Sequence, residues 1–370
     1  MPAFAFPLPL LSPDLAGRIG NRLLSVLGWL TSPLLPDDYL GLIDPLLSAR
    51  HPSGVVTAVR TETPDAATLV IRPGRGWAGH RAGQYLPVGV ELDGVRHWRT
   101  YSLASPPDAT GGEVTITVKA DPRGQVSPHL VHRTPPGAVL RLGPAQGEFV
   151  LPDPAPARLL FVTAGSGITP VMGMLRTLTR RSGAVPDVVL LHSAPGPDDS
   201  LFRAELAALA ARLPWLCLHE RHTRTAGRLT LADIDALCPD WRDRETWACG
   251  PAGLLDVLRE RWGAGKRLHV ERFRPAPLLA PGTDASGGRV RFERSGVVAD
   301  STAAVPLLEV GESAGVPMPY GCRRGICFGC LAPLLHGRVR DLRTGEVHGT
   351  KGELIQTCVN AAAGPLTLGL

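Results

Sequence analysis

Four cysteines near the C-terminus have the spacing of a metal-ligand set. Cys322, Cys327 and Cys330 are separated by four and then two residues, and Cys358 follows at a distance. This is the plant-type spacing for a [2Fe–2S] cluster, which carries single electrons. The glycines of GCRRGICFGC allow a tight loop, and its two arginines add positive charge beside an anionic cluster. Zinc or four buried thiols are the alternatives, but structural zinc usually takes two close cysteine pairs. We therefore predict a [2Fe–2S] cluster.

A run of four residues in the first third of the chain combines a cation, an aromatic ring and hydroxyl groups. These residues are Arg99, Thr100, Tyr101 and Ser102, and they follow a predicted strand. An arginine fork suits a pyrophosphate, a tyrosine can flank a flavin, and a serine hydroxyl can hydrogen-bond the flavin N5. Alternation along a strand should send Arg99 and Tyr101 to one side and Ser102 to the other. The run predicts a flavin site, with an ordinary edge strand as the alternative.

Downstream of this run, a glycine and a serine open a short predicted helix. Gly124 and Ser127 precede or begin the segment SPHLVHRT. Free amides at the start of a helix attract phosphate, so this turn is a candidate for the flavin phosphates. The alternative is that Ser127 is a plain N-cap residue.

Two further turns lie where predicted strands end and helices begin. Glycine lets phosphate and nicotinamide approach the backbone, and proline suits the first turn of a helix. Both turns should lie at the carboxyl edge of one sheet, where ligands bind, although the first lacks the usual dinucleotide spacing. A buried small residue is the alternative for the cysteine in the second turn. The turns comprise Gly165, Ser166, Gly167, Ile168, Thr169 and Pro170, and then Cys249, Gly250 and Pro251.

The chain of 370 residues is too long for one core, and its patterns divide it into several domains. Residues 51–152 contain short apolar runs between turn residues, which predict a small antiparallel β-barrel. Residues 153–274 alternate strand and helix patterns, which predict an α/β domain with a parallel sheet. A stretch rich in proline and glycine, 275–288, suits a linker, and 289–370 form a compact final unit containing the cysteine loop.

Residues 1–50 form a predicted N-terminal helical extension. The segment from Leu15 to Leu30 fits an amphipathic helix that packs on its own protein or, alternatively, docks to a membrane-bound partner. We find no signal-peptide pattern and no apolar run that would span a bilayer. The odd count of seven cysteines indicates a reducing compartment, so we expect a cytoplasmic protein, with Cys217 and Cys238 as inert core residues. The charges form no basic stripe that would indicate nucleic-acid binding.

Taken together, RTYS, AGSGITP, ACGP and the cysteine loop resemble the ferredoxin–NADP reductase superfamily with a fused plant-type ferredoxin. The resemblance covers residues 51–370 and implies a β-grasp fold for the final unit. It implies that Arg99, Tyr101 and Ser102 hold the flavin, with its phosphates at Gly124 and Ser127. It also implies that NADPH or NADH is held by Gly165, Ser166, Gly167 and Thr169. Cys249 would lie where hydride passes, in a turn shaped by Gly250 and Pro251. FAD is favoured over FMN. Cys249 and Ser102 are the candidate catalytic residues.

Two departures from the family pattern give further expectations. Phe328 follows the second cluster cysteine, where related loops carry a small or polar residue, which bears on the exposure and potential of the cluster. Because the cysteine loop follows the nucleotide domain, we expect no terminal aromatic residue of that domain to cover the flavin.

The order of these parts predicts an electron-transfer reductase. NAD(P)H would deliver a hydride to flavin, and the cluster would pass single electrons to an iron oxygenase. The N-terminal extension resembles that of actinobacterial reductases serving membrane-bound acyl-CoA desaturases, which favours such a partner and a peripheral position at the membrane. The alternatives are a ring-hydroxylating oxygenase or P450 as acceptor, or a redox sensor without turnover. Arg203, Arg221 and Arg224 favour NADPH, whereas Asp198 and Asp199 oppose it.

Overall fold

The computed structural model describes residues 36–370 except positions 93, 123, 182, 184, 264–266, 274–286, 322, 324 and 326–328. Some predictions fall outside these residues. They are the helix from Leu15 to Leu30, nearly all of the linker 275–288, and the positions of Cys322, Cys327 and Phe328. Within the described part of the chain, no helix is long and apolar enough to cross a bilayer.

The first folded unit is an antiparallel barrel, as the short apolar runs predict. A short helix, α1 Pro36–Ile43, precedes it. The strands are β1 Ser53–Thr63, β2 Ala66–Pro73, β3 Tyr85–Leu92, β4 Val95–Ser102, β5 Val114–Lys119 and β6 Val139–Leu142, with helix α2 Val126–His132 before the last. The sheet order is β4-β3-β6-β1-β2-β5, and an isolated pairing of Leu103 with Ile116 joins the end of β4 to β5. That pairing closes the barrel around a core that includes Leu69 and Leu86, both fully buried.

The second unit is a five-stranded parallel sheet covered by helices, which also agrees with the predicted alternation. Its strands are β7 Arg158–Ala164, β8 Asp187–Ala194, β9 Leu216–His222, β10 Glu245–Cys249 and β11 Leu268–Glu271. Its helices are α3 Ile168–Leu178, α4 Arg203–Arg212, α5 Thr223–Ala226, α6 Leu231–Leu237 and α7 Ala252–Trp262. The order β11-β10-β7-β8-β9 reverses direction at β7. A crevice at the carboxyl end of β7 is therefore expected to bind ligand.

The C-terminal unit is built from short strands and one helix. Its strands are β12 Gly288–Phe292, β13 Val297–Ser301, β14 Leu331–His336, β15 Val339–Asp341, β16 Val347–His348, β17 Leu354–Gln356, β18 Asn360–Ala362 and β19 Leu366–Leu368. Helix α8 Leu307–Ser313 lies where the sequence predicts it. Five strands form a mixed sheet in the order β13-β12-β19-β14-β17, and β16-β15-β18 form a second sheet. Both pack on one apolar core that includes Phe292, Leu307 and Cys330.

Helix α3 joins the barrel to the parallel sheet. A Cβ on Gly173 would lie 2.6 Å from the carbonyl oxygen of Leu103, so the helix backbone touches the barrel directly. One turn further, Arg176 donates from Nη1 to the carbonyl oxygen of Ala104 at 2.8 Å and forms an ion pair with Glu205. The segment held in this way follows directly after Ser102. The position of Ser102 is therefore tied to the helix that begins at the glycine turn of the second unit.

Candidate functional site

One cavity of about 560 Å³ is lined by all three units. This volume lies within the usual range for cofactor pockets. The barrel contributes the four residues from Arg99 to Ser102 and the turn with Gly124 and Ser127. The parallel-sheet unit contributes residues from the glycine turn and the start of α3, and others from the end of β11 and just after it. The C-terminal unit contributes Arg323. The lining from these two units comprises Ser166, Thr169, Glu271, Arg272, Phe273 and Arg323.

The predicted flavin motif forms the end of β4 rather than following a strand. Ser102 pairs with Tyr85 and Tyr101 pairs with Leu86 on β3. Tyr101 packs against the barrel core, and all four residues of the motif line the cavity, so strand alternation does not remove Ser102 from it. The Ser102 hydroxyl is buried and has no hydrogen-bond partner among the described residues. A buried polar atom without a partner is costly, and a bound polar ligand would satisfy it.

Arg99 connects the barrel to the cysteine loop. Its Nη1 donates to the carbonyl oxygen of Trp98 at 2.8 Å and to that of Gly321 at 3.4 Å. Gly321 immediately precedes the first predicted cluster ligand. The contact brings two motifs 222 residues apart in sequence to one place.

Arg323 is the cation that the cysteine loop places at the cavity wall. It has a left-handed backbone with φ of 56°, which is uncommon for a residue with a side chain. Glu312 on α8 binds its guanidinium through two oxygens, at 2.8 and 2.5 Å. The guanidinium also lies 4.5 Å from the centre of the Tyr320 ring. These contacts fix a positive charge between the cavity and the loop.

Ser127 is not the N-cap of α2, so the alternative for this residue is wrong. The N-cap is Gln125, and no side chain caps the helix. The Ser127 hydroxyl instead accepts a hydrogen bond from the backbone N–H of Asp121 at 3.0 Å. This bond closes the turn that contains Gly124, and both Gly124 and Ser127 line the cavity.

The two predicted nucleotide turns meet directly. Residues Gly165–Gly167 form a 3₁₀ turn between β7 and α3, and Gly165 has φ of 55°. A Cβ on Gly167 would lie 2.1 Å from the carbonyl oxygen of Cys249, so only glycine fits there. A Cβ on Gly250 would lie 3.2 Å from the Cβ of Ala164, and Pro251 is the N-cap of α7. Thr169 bonds the Ser166 carbonyl oxygen at 3.0 Å, and both residues line the cavity.

Sequence reasoning missed several residues at this site, and two of them bear on its chemistry. Glu271 ends β11 beside Cys249, and its Oε2 is buried without a partner among the described residues. Burial raises the pKa of Glu271 to about 8, so the carboxyl is neutral at pH 7. Burial, and then the neighbouring Glu271, raise the pKa of Cys249 well above its usual value.

The second missed residue is Phe273, which lines the cavity. An aromatic residue of the nucleotide unit therefore does reach the cavity, contrary to our expectation.

The cysteine loop is described in part. Within the described residues, no group of three or more acidic, cysteine or histidine side chains converges as a metal site. Of the four predicted ligands, Cys330 and Cys358 are described, and their sulfur atoms lie 3.2 Å apart. The backbone N–H of Gly325 donates to the Cys358 sulfur at 3.2 Å, as the glycine-rich sequence predicts.

A larger cleft of about 980 Å³ lies on another side of the molecule, between β1 and the start of α4. Its wall includes Arg176 and Glu205, which bind each other, and Glu62, which accepts from the Phe202 N–H at 3.2 Å. None of the predicted site residues from the barrel, the glycine turns or the cysteine loop lines it, and of the residues considered for nucleotide choice only Asp198 and Arg203 do. We therefore assign the functional site to the smaller cavity.

Arg221, Arg224 and Arg203 were the cations considered for a nucleotide phosphate, and they separate in the structure. Arg221 is held by Asp233 at 2.9 Å and by two backbone carbonyls. Arg224 pairs with Asp199 at 2.8 Å and is largely exposed. Arg203 lines the larger cleft instead.

Cys217 is exposed, so its assignment to the core is wrong. It lies on the edge strand β9, between the buried Leu216 and the half-buried Leu218. Cys238 is buried as predicted, and burial raises the pKa of its thiol to about 12.

Two family models match the chain in sequence order. The oxidoreductase FAD-binding domain matches residues 56–151, and the oxidoreductase NAD-binding domain matches residues 161–260. The NADPH oxidoreductase of Mycobacterium tuberculosis is 52% identical over 347 residues, covering 92% of this chain and 90% of the relative. The chain belongs to the ferredoxin–NADP reductase-like oxidoreductases. It is an oxidoreductase with an FAD-binding and an NAD-binding domain.

Two further proteins that are similar to this chain have an oxygenase in their names. The glycine betaine monooxygenase reductase subunit of Pseudomonas aeruginosa is 28% identical over 295 residues, covering 72% of this chain and 80% of the relative. The solved structure of phthalate dioxygenase reductase aligns with a TM-score of 0.58 and 24% identity, covering 86% of this chain and 97% of that chain. This likeness shows a shared fold.

Proposed function

We propose that this protein transfers a hydride from NADPH to FAD and passes the electrons singly through a [2Fe–2S] cluster to an iron oxygenase. The observation that carries the proposal is the cavity lined by all three units, with the unpartnered Ser102 hydroxyl inside it. The domains proposed for these tasks are 51–152 for flavin, 153–274 for the nucleotide and 289–370 for the cluster. We propose a β-grasp fold for the last of these domains.

The cavity fits a flavin. Bound FAD supplies the conversion between two-electron and one-electron transfer. The Ser102 hydroxyl can bond a ring nitrogen, and Tyr101 presents its ring at the same wall. Arg99 can bind phosphate oxygens with its second amino group while Nη1 keeps its backbone contacts. Thr100, Gly124 and Ser127 complete the phosphate end in this proposal.

The glycine turns fit a nicotinamide nucleotide. The contact of Gly167 with Cys249 removes side-chain bulk from the crevice at the end of β7, where ligands of such sheets bind. Cys249 keeps a neutral thiol beside the ring-binding position, and Glu271 keeps a neutral carboxyl. Neither residue places a negative charge where hydride arrives. Gly165, Ser166, Thr169, Gly250 and Pro251 shape the rest of this surface.

We assign NADPH as the preferred nucleotide. Arg224 is exposed on α5, just after β9, and its partner Asp199 forms only a surface ion pair with it. Such pairs contribute about 0–1 kcal/mol, so a phosphate can replace the carboxylate. The similarity to an NADPH oxidoreductase supports the same choice.

The cysteine loop fits an iron–sulfur cluster in its described part. The sulfur atoms of Cys330 and Cys358 lie close enough to bind one metal ion, and the Gly325 N–H already donates to one of them. We propose Cys322 and Cys327 as the other two ligands, from their spacing. Arg99 and Arg323 connect this loop to the flavin cavity, which supports electron transfer over a short distance.

We propose a membrane-bound fatty acyl-CoA desaturase as the acceptor, which would give the protein a peripheral position at the membrane. The resemblance of the N-terminal extension supports this choice. Reductases named for a monooxygenase and a dioxygenase are similar to this chain, which supports an iron oxygenase as the wider class. A ring-hydroxylating oxygenase or a P450 is the alternative acceptor.

An anaerobic titration of the purified protein tests the relay. NADPH, added in steps, should bleach the flavin absorption and then produce the low-temperature EPR signal of a reduced [2Fe–2S] cluster. NADH should need a higher concentration for the same bleaching. Flavin and iron that are bound but not reduced by either nucleotide would favour the redox sensor, and a protein without iron would remove the cluster from the proposal.

A further inference from the structure

The segment that follows β15 holds an arginine against the cysteine loop. Arg343 donates from Nη1 to the carbonyl oxygen of Gly325 at 3.1 Å. A Cβ on Gly325, whose φ is 69°, would lie 2.7 Å from that same nitrogen, so the side chain of Arg343 lies directly on the loop backbone. Gly325 is also the residue whose N–H donates to the Cys358 sulfur. One glycine therefore joins the guanidinium to a proposed cluster ligand.

The rest of the guanidinium is bound by Asp341, the last residue of β15. Nε and Nη2 of Arg343 donate to the two carboxylate oxygens at 3.0 and 2.5 Å. The Asp341 side chain is only 13% exposed. Burial opposes ionisation of Asp341, but the hydrogen bonds from Arg343 outweigh burial and lower its pKa, so the carboxyl is charged at pH 7. We call these two residues the β15 ion pair.

The β15 ion pair lies against the segment that contains Cys358. Leu342, between the two members of the pair, donates from its backbone N–H to the Val359 carbonyl oxygen at 2.8 Å. Val359 follows Cys358 directly and is buried. The pKa of the guanidinium is raised, first by the hydrogen bond within the pair and also by the sulfur atoms of Cys358 and Cys330. The positive charge therefore acts on the sulfur atoms of the cysteine loop.

Arg343 is separate from the arginine at the cavity wall. Arg323 lines the flavin cavity and is bound by Glu312, whereas Arg343 does not line that cavity. An arginine remains protonated in proteins, so each of the two carries a permanent positive charge. The reduction potential of an iron–sulfur cluster depends on the surrounding charge and on hydrogen bonds to its sulfur atoms. Arg343 bears on both, through its guanidinium and through Gly325.

Reduction of the proposed cluster should be sensitive to the charge beside it. One electron, supplied by NADPH through FAD, adds one negative charge, so a nearby cation favours the reduced state and a nearby carboxylate opposes it. We propose that the β15 ion pair sets the reduction potential of the cluster. Arg343 raises the potential and holds the Gly325 N–H on the Cys358 sulfur. Asp341 fixes the guanidinium and offsets part of its charge. This inference rests on the proposed function.

Opposite changes of charge at the two members of the pair test the inference. Arg343→Gln leaves the carboxylate of Asp341 without its cation, whereas Asp341→Asn leaves the guanidinium without its anion. Arg338→Gln is the matched control, because Arg338 also donates to a backbone carbonyl of this unit, that of Val347 at 2.9 Å, but is exposed and bonds β16 instead of the loop. Each full-length protein is titrated anaerobically with dithionite and redox mediators. Low-temperature EPR records the reduced cluster, and absorption records the flavin in the same samples.

The two substitutions in the pair should shift the cluster potential in opposite directions. We expect Arg343→Gln to lower the equilibrium constant for cluster reduction about tenfold, which is about 59 mV for a one-electron couple. Asp341→Asn should raise the potential. Arg343→Lys keeps the charge, so its potential should lie between those of Arg343→Gln and the wild type. Iron content and the flavin potential should match the wild type in every variant, as should the cluster potential of Arg338→Gln.

The sign of the shifts separates a charge effect from a loss of structure. An unchanged cluster potential in Arg343→Gln, or shifts in the same direction in Arg343→Gln and Asp341→Asn, would overturn the inference alone. Loss of iron from both variants would also overturn it, because the pair would then only support the fold of the loop. If one variant loses its iron, the sign of the shift in the other decides. A wild-type protein that binds flavin but no iron would overturn the proposed cluster and this inference together.

Discussion

The guanidinium of Arg99 donates to the carbonyl oxygen of Gly321 at 3.4 Å, across the boundary between the barrel and the C-terminal unit. One side chain of the candidate flavin site therefore also contacts the residue that precedes the first predicted cluster ligand. A change at Arg99 should affect both cofactors, whereas a change at Arg96 on the same strand should affect neither.

Replacing Arg99 should weaken flavin binding. Arg99→Lys keeps the charge but loses the planar guanidinium that can bind two oxygens, and Arg99→Ala loses both. Hydrogen bonds to charged groups contribute about 1.5–3 kcal/mol, so we expect the flavin dissociation constant of Arg99→Ala to rise by a factor of ten or more. Fluorescence of released flavin measures this constant. Arg96→Gln is the control, since Arg96 is on the same strand but forms only a long surface pair with Glu91 at 3.9 Å. Unchanged flavin affinity in Arg99→Ala would contradict its assigned role.

Replacing Cys358 should remove the cluster and leave the flavin. Cys358→Ser loses a thiolate ligand, so iron content and the reduced-cluster EPR signal should disappear while NADPH still bleaches the flavin. Cys238→Ser is the control, because burial raises the pKa of that thiol to about 12 and keeps it protonated. If Cys358→Ser retained its iron and its EPR signal, the ligand assignment would be wrong.

Arg224 should select NADPH over NADH. Loss of a charge-assisted contact to phosphate costs about 1.5–3 kcal/mol, so Arg224→Gln should raise the KM for NADPH about tenfold or more. The KM for NADH should stay the same, because NADH lacks the phosphate. Steady-state kinetics with both nucleotides make the comparison. Arg203→Gln should change neither constant, since Arg203 lines the other cleft. An equal effect of Arg224→Gln on both nucleotides would exclude phosphate recognition.

Glu271 should make flavin reduction dependent on pH. Burial raises its pKa to about 8, so the carboxyl is neutral at pH 7 and ionises as the pH rises through 8. The negative charge opposes hydride arrival, so the rate constant for flavin bleaching should fall above pH 8. Glu271→Gln stays neutral and should flatten the dependence of the bleaching rate constant on pH in stopped-flow measurements. Glu245→Gln, at the start of the neighbouring strand β10, should not. Parallel profiles for wild type and Glu271→Gln would contradict this role.

The same pKa has a consequence for stability with a definite sign. The folded protein binds the Glu271 proton more tightly than the unfolded chain, whose carboxyl titrates near 4.5. The stabilising contribution of this group is therefore complete below about pH 4.5 and is lost as the pH rises through about 8. Thermal unfolding at pH 6 and pH 9 should show a smaller decrease in Tm for Glu271→Gln than for the wild type.

Arg176 should contribute more to stability than Arg180, although both lie at the interface of α3 with the barrel. Arg176 is mostly buried and binds Glu205 and the Ala104 carbonyl oxygen, whereas the pair of Arg180 with Asp108 is exposed. Breaking a buried pair costs 3–5 kcal/mol, and partial exposure reduces this, so we expect Arg176→Gln to lower the free energy of unfolding by about 2 kcal/mol. Arg180→Gln should lower it by less than about 1 kcal/mol. Denaturant titration gives both values, and equal losses would contradict the difference in burial.

The fold was largely predictable because its signals are local. Apolar runs such as the one in β8 are bounded by glycine, proline or aspartate, and helix α8 has its predicted bounds. The motif residues from Arg99 to Ser102 and the two glycine turns could also be selected from sequence, because their residue types suit phosphates and flavin. The meeting of the two glycine turns follows from the rule that parallel strands end at one edge, whereas the position of Arg99 to Ser102 beside them depends on how the barrel packs on the sheet.

The remaining features depend on contacts between distant segments. Glu271 and Phe273 follow an ordinary short strand, and nothing local indicates that β11 ends beside Cys249 and the barrel. Cys217 lies in an apolar run, but only Leu216 of β9 is fully buried, and the sequence does not show that β9 is the edge strand. Ser127 looks like a cap in sequence, but its bond to Asp121 depends on how the preceding turn closes.

Helix α3 limits how this protein can be recombined with its relatives. Gly167 touches the Cys249 carbonyl oxygen before the helix begins, and Gly173 touches the Leu103 carbonyl oxygen six residues later. A chimera that takes the nucleotide domain from another reductase imports a helix fitted to a different barrel surface. Such a chimera should be assembled correctly only when the donor also supplies the segment 103–105, even though that segment lies in the other domain by sequence.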